Sequence, residues 1–292
     1  MKLWIILPAM LIAVSHLFAG TAPQVTLNKP WTGSLKDGFS IDYQGKGYPR
    51  IVTSWNVKKE SFYLIRLEGS SSEAATLGCR IMFGKRKMVP KLELDKQPAA
   101  FNIPVYTGEN ETLSLDFFKS PSEPVKIAIR ILSVKEMTQE ELAADQFAGN
   151  GDFETAVPGL SPRSKVNVVP CGSFAAGEKA LELPAAVTLT APYLAVIPGK
   201  KYELRFFACA EEKGSVTASI QLWSPFGHQG KHFYKPTTFK LGPQPVLCRQ
   251  EILIPDPSEV PDAADRIASV KLSSPKKGGK ILIDELSFRE IK

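Results

Sequence analysis

The sequence predicts an all-β protein of two tandem β-sandwich (jelly-roll) domains joined by a short helical linker, after a cleaved signal peptide. Three observations point to it. Short apolar runs with period-two alternation recur along most of the chain. The 292 residues include 23 prolines and 21 glycines, a turn density that disfavours helical bundles. The strand pattern breaks once, near the middle, at residues 138–147 (TQEELAADQF). A length of 292 residues suits two domains of roughly 150 residues each. With 43% hydrophobic and 23% charged residues, disordered and fibrous classes are excluded.

Residues 1–20 read MKLWIILPAMLIAVSHLFAG. Lys2 gives a positive start, residues 3–14 form an apolar core broken only by Pro8, and Ala19 and Gly20 are small. This is the layout of a signal peptide, residues 1–19, cleaved after Ala19. The apolar run is shorter than the ~20 residues of a spanning helix, and no other segment approaches it. The expectation is a secreted or periplasmic protein with no transmembrane segment after cleavage. Cys79, Cys171, Cys209 and Cys248 remain, without a C-x-x-C pair, and allow three full pairings in an oxidising compartment. The mature chain keeps only His228 and His232.

The first domain spans 20–137. Its clearest strands are 62–67 (FYLIRL), 78–83 (GCRIMF), 101–106, 112–118 (TLSLDFF) and 125–134 (VKIAIRILSV). Leu113, Leu115 and Phe117 alternate with Ser114, Asp116 and Phe118, as on a half-buried strand. Turn clusters at 107–110 (TGEN) and 120–122 (SPS) separate them. In the linker, 138–149, Thr138 followed by Glu141 is a capping-box signature for a short helix, and the Gly149-Asn150-Gly151 run stops it. The second domain, 150–292, resumes with strands at 179–183, 201–210 (KYELRFFACA), 215–223 (SVTASIQLW), 245–254, 266–273 and 280–288 (KILIDELSF). No long helical pattern separates strands, which disfavours parallel βαβ folds. Residues 57–67 can be laid on 196–206 and 126–134 on 280–288, a match of pattern that arises either from duplication or from two similar sandwiches.

Four motifs in the second half give a resemblance. Asn150-Gly151-Asp152-Phe153-Glu154 looks like an N-G-x-F-E entry strand, and Gly177-Glu178-Lys179-Ala180-Leu181 like an S-G-x-x-S/A-L segment. Ile197-Pro198-Gly199-Lys200-Lys201-Tyr202 matches a P-G-x-x-Y lead into a central strand, and Ile283-Asp284-Glu285-Leu286-Ser287 a closing I-D-D/E-V-S/L strand. In this order they resemble galactose-binding-like jelly-roll domains, among them the carbohydrate-binding modules of families four, nine and twenty-two. The first half shows only the central and closing patterns. The resemblance implies fold more firmly than ligand. It also implies a structural calcium between the entry and closing strands, with carboxylates from Glu154 and Asp284 and backbone carbonyls near Lys179. Calcium tolerates such mixed oxygen donors. The plain alternative is that these carboxylates pair with nearby lysines or backbone donors. In the first half Arg130 stands at the position of Asp284, which argues against calcium there.

Strand alternation suggests where a ligand sits. In 215–223, Val216, Ala218, Ile220 and Leu222 share a core face, leaving Thr217, Ser219, Gln221 and Trp223 opposite. In 202–209, Arg205 and Phe207 fall opposite a core face of Tyr202, Leu204, Phe206 and Ala208. Arg205, Phe207, Gln221 and Trp223 are therefore read as one surface, walled by the loop 224–236 (SPFGHQGKHFYKP) with Tyr234. Indole stacks on the apolar face of a sugar while amide and hydroxyl neighbours bond its hydroxyls. The bland alternative is that Trp223 and Phe207 are covered by that loop. His228 and His232 sit among glycines, which does not suit a helical metal pair.

Catalytic motifs are absent: there is no G-x-S-x-G elbow, H-E-x-x-H helix or P-loop. No carboxylate pair is poised for glycoside hydrolysis. The basic runs at 84–87 (GKRK) and 276–280 (KKGGK) carry much of the +6 charge and read first as solvated turns; an anionic polysaccharide or a cell-surface partner is the functional alternative, and nucleic acid is not expected. The sequence thus favours secreted, non-catalytic recognition of a polysaccharide or glycan by the second domain. The rivals are an exported structural or protein-interaction module, meeting other exported or cell-surface proteins without a sugar site, and a jelly-roll polysaccharide lyase or hydrolase.

Overall fold

The computed structural model describes residues 23–292 apart from 97, 121, 148–150, 155–159, 161–164, 172–173, 176, 223–233, 261–263 and 265. The leader and the linker–domain boundary near Gly149 lie outside the described residues. The first sandwich comprises β1 (Gln24–Leu27), β2 (Thr32–Ser34), β3 (Gly38–Tyr43), β4 (Arg50–Asn56), β5 (Phe62–Ser71), β6 (Ala75–Phe83), β7 (Arg86–Met88), β8 (Lys91–Leu94), β9 (Ala99–Tyr106), β10 (Thr112–Phe118) and β11 (Val125–Glu136). One sheet runs β1-β4-β10-β6-β7, with β8 also on β6; the other runs β2-β3-β11-β5-β9. Every pairing is antiparallel, and the inward residues of both sheets, from Phe39 and Ile51 to Phe117 and Ile129, form one buried core. The alternation read at 112–118 is realised in β10, where Leu113, Leu115 and Phe117 are fully buried.

The linker helix is α1 (Gln139–Ala143), and both halves of its capping box are made. Thr138 Oγ1 accepts the Glu141 N–H at 3.2 Å and Glu141 Oε2 accepts the Thr138 N–H at 2.8 Å. The chain after it is clamped to the second sandwich. Asp145 Oδ1 accepts the N–H groups of Phe147 and Phe288, each at 3.0 Å.

The second sandwich comprises β12 (Asn167–Pro170), β13 (Lys179–Leu183), β14 (Thr188–Ala195), β15 (Lys201–Ala210), β16 (Gly214–Leu222), β17 (Tyr234–Leu241), β18 (Val246–Leu253), β19 (Ile267–Ser273) and β20 (Ile281–Ile291). Its sheets run β12-β13-β20-β15-β18 and β14-β19-β16-β17. The first sandwich repeats this order strand for strand as β2-β3-β11-β5-β9 and β4-β10-β6-β8, with β1 and β7 as its additions. One hydrogen bond is repeated as well: Tyr63 Oη accepts the Lys58 N–H at 3.0 Å, and Tyr202 Oη accepts the Ile197 N–H at 3.1 Å. These four residues coincide when 57–67 is laid on 196–206. Both closing strands also break register at matching places, between Ile131 and Ser133 in β11 and between Asp284 and Ser287 in β20. The repeated topology is what either alternative, duplication or two similar sandwiches, would give.

The two sandwiches share a seam. Ala195 and Ile267, opposite one another in β14 and β19, are fully buried against the core of the first sandwich, with Tyr193 and Ile197 beside them. The Arg266 guanidinium lies 3.9 Å from the Tyr106 ring centroid in β9. Gln146 turns its amide to β14 like one more strand: Nε2 donates to the Ala195 carbonyl at 2.6 Å, and the Ala195 N–H donates to Oε1 at 2.7 Å. β9 is the edge of its sheet, and this docking covers an edge otherwise open to pairing. Among the described residues no helix is long and apolar enough to cross a membrane, and no disulfide joins any two of the four cysteines.

Candidate functional site

The expected surface of Arg205, Phe207, Gln221 and Trp223 is divided by the fold. Arg205 and Phe207 belong to β15 in the five-stranded sheet, whereas Gln221 belongs to β16 in the four-stranded sheet. Both strands point their apolar residues into the same core, so their polar residues look out on opposite sides of the sandwich. The sequence reading assumed that two consecutive strands share a sheet; here the β15–β16 turn crosses from one sheet to the other. Trp223 and most of the following loop lie outside the described residues. Tyr234, placed in that loop by the sequence, instead begins β17 and pairs with Gln221.

The outward face of the four-stranded sheet is polar in three successive rows. Thr188, Ser273, Thr217 and Thr238 stand side by side across all four strands, linked by hydroxyl pairs at 2.9 Å between Thr188 and Ser273 and 2.9 Å between Thr217 and Thr238. The next row holds Thr190, Lys271, Ser219 and Pro236. The third holds Ser269, Gln221 and Tyr234. Lys271 Nζ donates to Gln221 Oε1 at 2.7 Å, which fixes the amide and leaves its NH2 as the donor end. Ser219 and Ser269 are only 2% and 6% exposed, so the middle of the face is recessed. Beyond the third row lie Ala195 and Ile267, where the first sandwich closes that end. Sequence reasoning missed Lys271, Ser269, Ser273, Thr188 and Thr238. The alternation I-A-S-V-K-L-S in β19 was a usable signal, but the strands at 188–195 and 234–241 were not recognised and their hydroxyls had no place.

The opposite face, on the five-stranded sheet, is an ion-pair lattice. Glu203 lies between Arg249 Nε at 3.9 Å and Arg289 Nη2 at 3.6 Å, and Arg205 Nη2 is 3.6 Å from Glu285. Arg205 Nε is buried without a hydrogen-bond partner. Phe207 pairs with Asp284 across the β15–β20 ladder and is half-buried. This face offers alternating charges where the other offers hydroxyls.

Glu154 and Lys179 are joined at the start of β13, and Asp284 lies on the neighbouring β20. Glu154 Oε1 accepts the backbone N–H groups of Glu178 and Lys179, each at 2.7 Å, and Lys179 Nζ donates to the Glu154 carbonyl at 2.7 Å. Asp284 is fully buried and accepts the Glu285 N–H at 2.7 Å. The Cys171 thiol is pushed up by burial first and then by the Asp284 and Glu154 carboxylates. Gly177, with positive φ, keeps the Glu154 carboxylate close: a Cβ there would lie 2.3 Å from Oε1. Calcium needs 6–8 oxygens. Oε1 and the carbonyl are already engaged, so these residues fit calcium only with the Lys179 ammonium withdrawn.

The strand order and core define two jelly-roll sandwiches in tandem, in line with the galactose-binding-like resemblance of the second half. No protein-family model matches the chain, and no curated protein does. Among solved structures it is similar to the CBM22-1–CBM22-2 tandem domain from Paenibacillus barcinonensis Xyn10C, at 12% identity and TM-score 0.39, covering 94% of this chain and 95% of that one. It is similar also to the C-terminal family 22 carbohydrate binding module of Clostridium thermocellum Xyn10B, at 19% identity and TM-score 0.37, over 48% of this chain and 91% of that one. A third is TmCBM61 in complex with β-1,4-galactotriose, at 16% identity and TM-score 0.36, over 50% of this chain and 98% of that one.

Proposed function

We propose that this is an exported, non-catalytic protein that binds a glycan on the outward face of β14, β19, β16 and β17. The observation that carries the reading is the three-row array of hydroxyls, one oriented amide and one ammonium on four adjacent strands, recessed at Ser219 and closed at one end by the first sandwich. A sugar presents hydroxyls that both donate and accept, and this array does the same. The sequence supplies an aromatic candidate in Trp223, which follows β16 and lies outside the described residues.

A glycan array with the full chain tests the reading. Trp223→Ala and Gln221→Ala should each weaken the best ligand at least about tenfold, roughly 1.4 kcal/mol, while Arg205→Ala leaves it unchanged. Loss in Arg205→Ala with retention in the other two moves the site to the five-stranded sheet. Failure of the wild type on every glycan ends the reading, and release of reducing or unsaturated ends from a polysaccharide panel would replace it with an enzyme.

Calcium is proposed as a competitor of the Lys179 ammonium at Glu154. Millimolar calcium should then raise the melting temperature of Lys179→Met more than that of the wild type, and Asp284→Asn should abolish the rise. No shift in either protein removes calcium from consideration.

A further inference from the structure

The first sandwich presents the equivalent face, β4-β10-β6-β8, with different chemistry. By register, Asp116 stands where the second copy has Lys271, Arg80 where it has Ser219, Phe118 where it has Ser273, and Met82 where it has Gln221. Asp116 is fully buried although it points outward, because two guanidiniums close over it. Arg50 binds it with both prongs, Nε to Oδ1 at 2.9 Å and Nη2 to Oδ2 at 2.7 Å; Arg80 Nη1 reaches Oδ2 at 3.1 Å. The two arginine side chains keep 42% and 37% exposure. Their orientation is therefore fixed from below while their outer N–H groups face solvent.

Phe118 pairs with Arg50 across the β4–β10 ladder. Its ring rests on Gly78, where a Cβ would come within 2.4 Å of the ring carbons, and Arg80 Cζ is 5.3 Å from the ring centroid. The same row continues outward to Lys91, across Gly78, and Lys87 stands opposite Met82 one strand away; both lysines are exposed. Arg80 thus flanks the ring, Arg50 and Lys91 stand in its row, and Lys87 lies on β7 four residues farther along β6, against the Asp116 carboxylate and Glu93 on β8. This brings Lys87 of the basic run at 84–87 beside a face of the fold.

We propose that this face binds a carboxylate-bearing polysaccharide: a uronate lays its apolar ring face on Phe118 and its carboxylate on the outer N–H groups of the arginine pair. A guanidinium fork matches a planar carboxylate, and the surplus positive charge draws a polyanion whose next residues meet Lys91 and Lys87. Nothing in this depends on a sugar at the other sandwich.

Native affinity electrophoresis of the full chain in gels containing polygalacturonate, dextran sulfate or uncharged dextran tests it. Polygalacturonate should retard the wild type, dextran should not, and added salt should reverse the retardation. The exposed double variant Lys87→Ala/Lys91→Ala should bind polygalacturonate about tenfold more weakly. The charge-matched Lys276→Ala/Lys277→Ala should change it less than about twofold. Phe118→Leu, which keeps the apolar contact with Gly78 but loses the flat ring, should also weaken it. Equal losses in the two lysine pairs, no retardation of the wild type, or tighter binding to dextran sulfate than to polygalacturonate would each overturn the proposal. Trp223→Ala should leave polygalacturonate binding intact, so the two sites fail separately.

Discussion

Phe206→Ala should destabilise the second sandwich by about 4 kcal/mol, measured as a shift in the urea midpoint at constant slope. Phe206 is fully buried, sits on β15 in the interior of the five-stranded sheet, and meets Phe239 of β17 edge-on at 5.8 Å and 87°. Truncation removes the transfer energy of the ring and leaves a void between two sheets whose ladders cannot close over it. Because Phe239 fixes β17 from inside, the outward row containing Thr238 should loosen too, and glycan affinity should fall in a variant that is still folded at low temperature. A loss below about 1 kcal/mol would show that the sheets relax into the space.

Arg50→Ala should cost the first sandwich about 3 kcal/mol, because it strips the bidentate partner from a carboxylate with no exposure of its own. Arg80 at 3.1 Å remains, which keeps the figure at the low end for a broken buried pair. Asp116 strengthens the Arg50 proton affinity, first through the hydrogen bonds and then through charge, the direction expected of a true pair. Asp116→Ala/Arg50→Ala should be less destabilised than the sum of the single variants by about 2 kcal/mol. Additive effects in that cycle would mean the pair is a surface contact only.

How much of this could be read beforehand differed by element. β10, β13 and β15 fall at the bounds the alternation indicated, because each runs uninterrupted with one face in the core. β1 and β2 have 4 and 3 residues and carry no such run. β17 carries Pro236 and sits at a sheet edge, where the lost N–H is tolerated, so its sequence reads as loop. Gly151 appeared only as a motif letter and as part of a helix-stopping run. The structure gives its reason: a Cβ there would fall 1.9 Å from the Leu286 carbonyl oxygen, where the turn at Gly151 crosses β20.

The candidate site was half legible. Gln221 was found from strand phase alone, because phase is a property of one strand. Its partner Lys271 lies 50 residues away and is brought to 2.7 Å only by the β16–β19 ladder. The arginine pair on Asp116 spans 66 and 36 residues and was likewise invisible.

Sequence by itself determined the β class, the capped helix between the halves, and the inward residues of β10, β11, β15 and β16. These depend on periods and caps that act within a few residues. Tertiary structure decided which sheet each strand joins, and so it separated Arg205 and Phe207 from Gln221 and seated Arg50, Asp116 and Arg80 together. Sheet membership follows from packing two apolar faces across a core, and no local pattern encodes which neighbour completes that core.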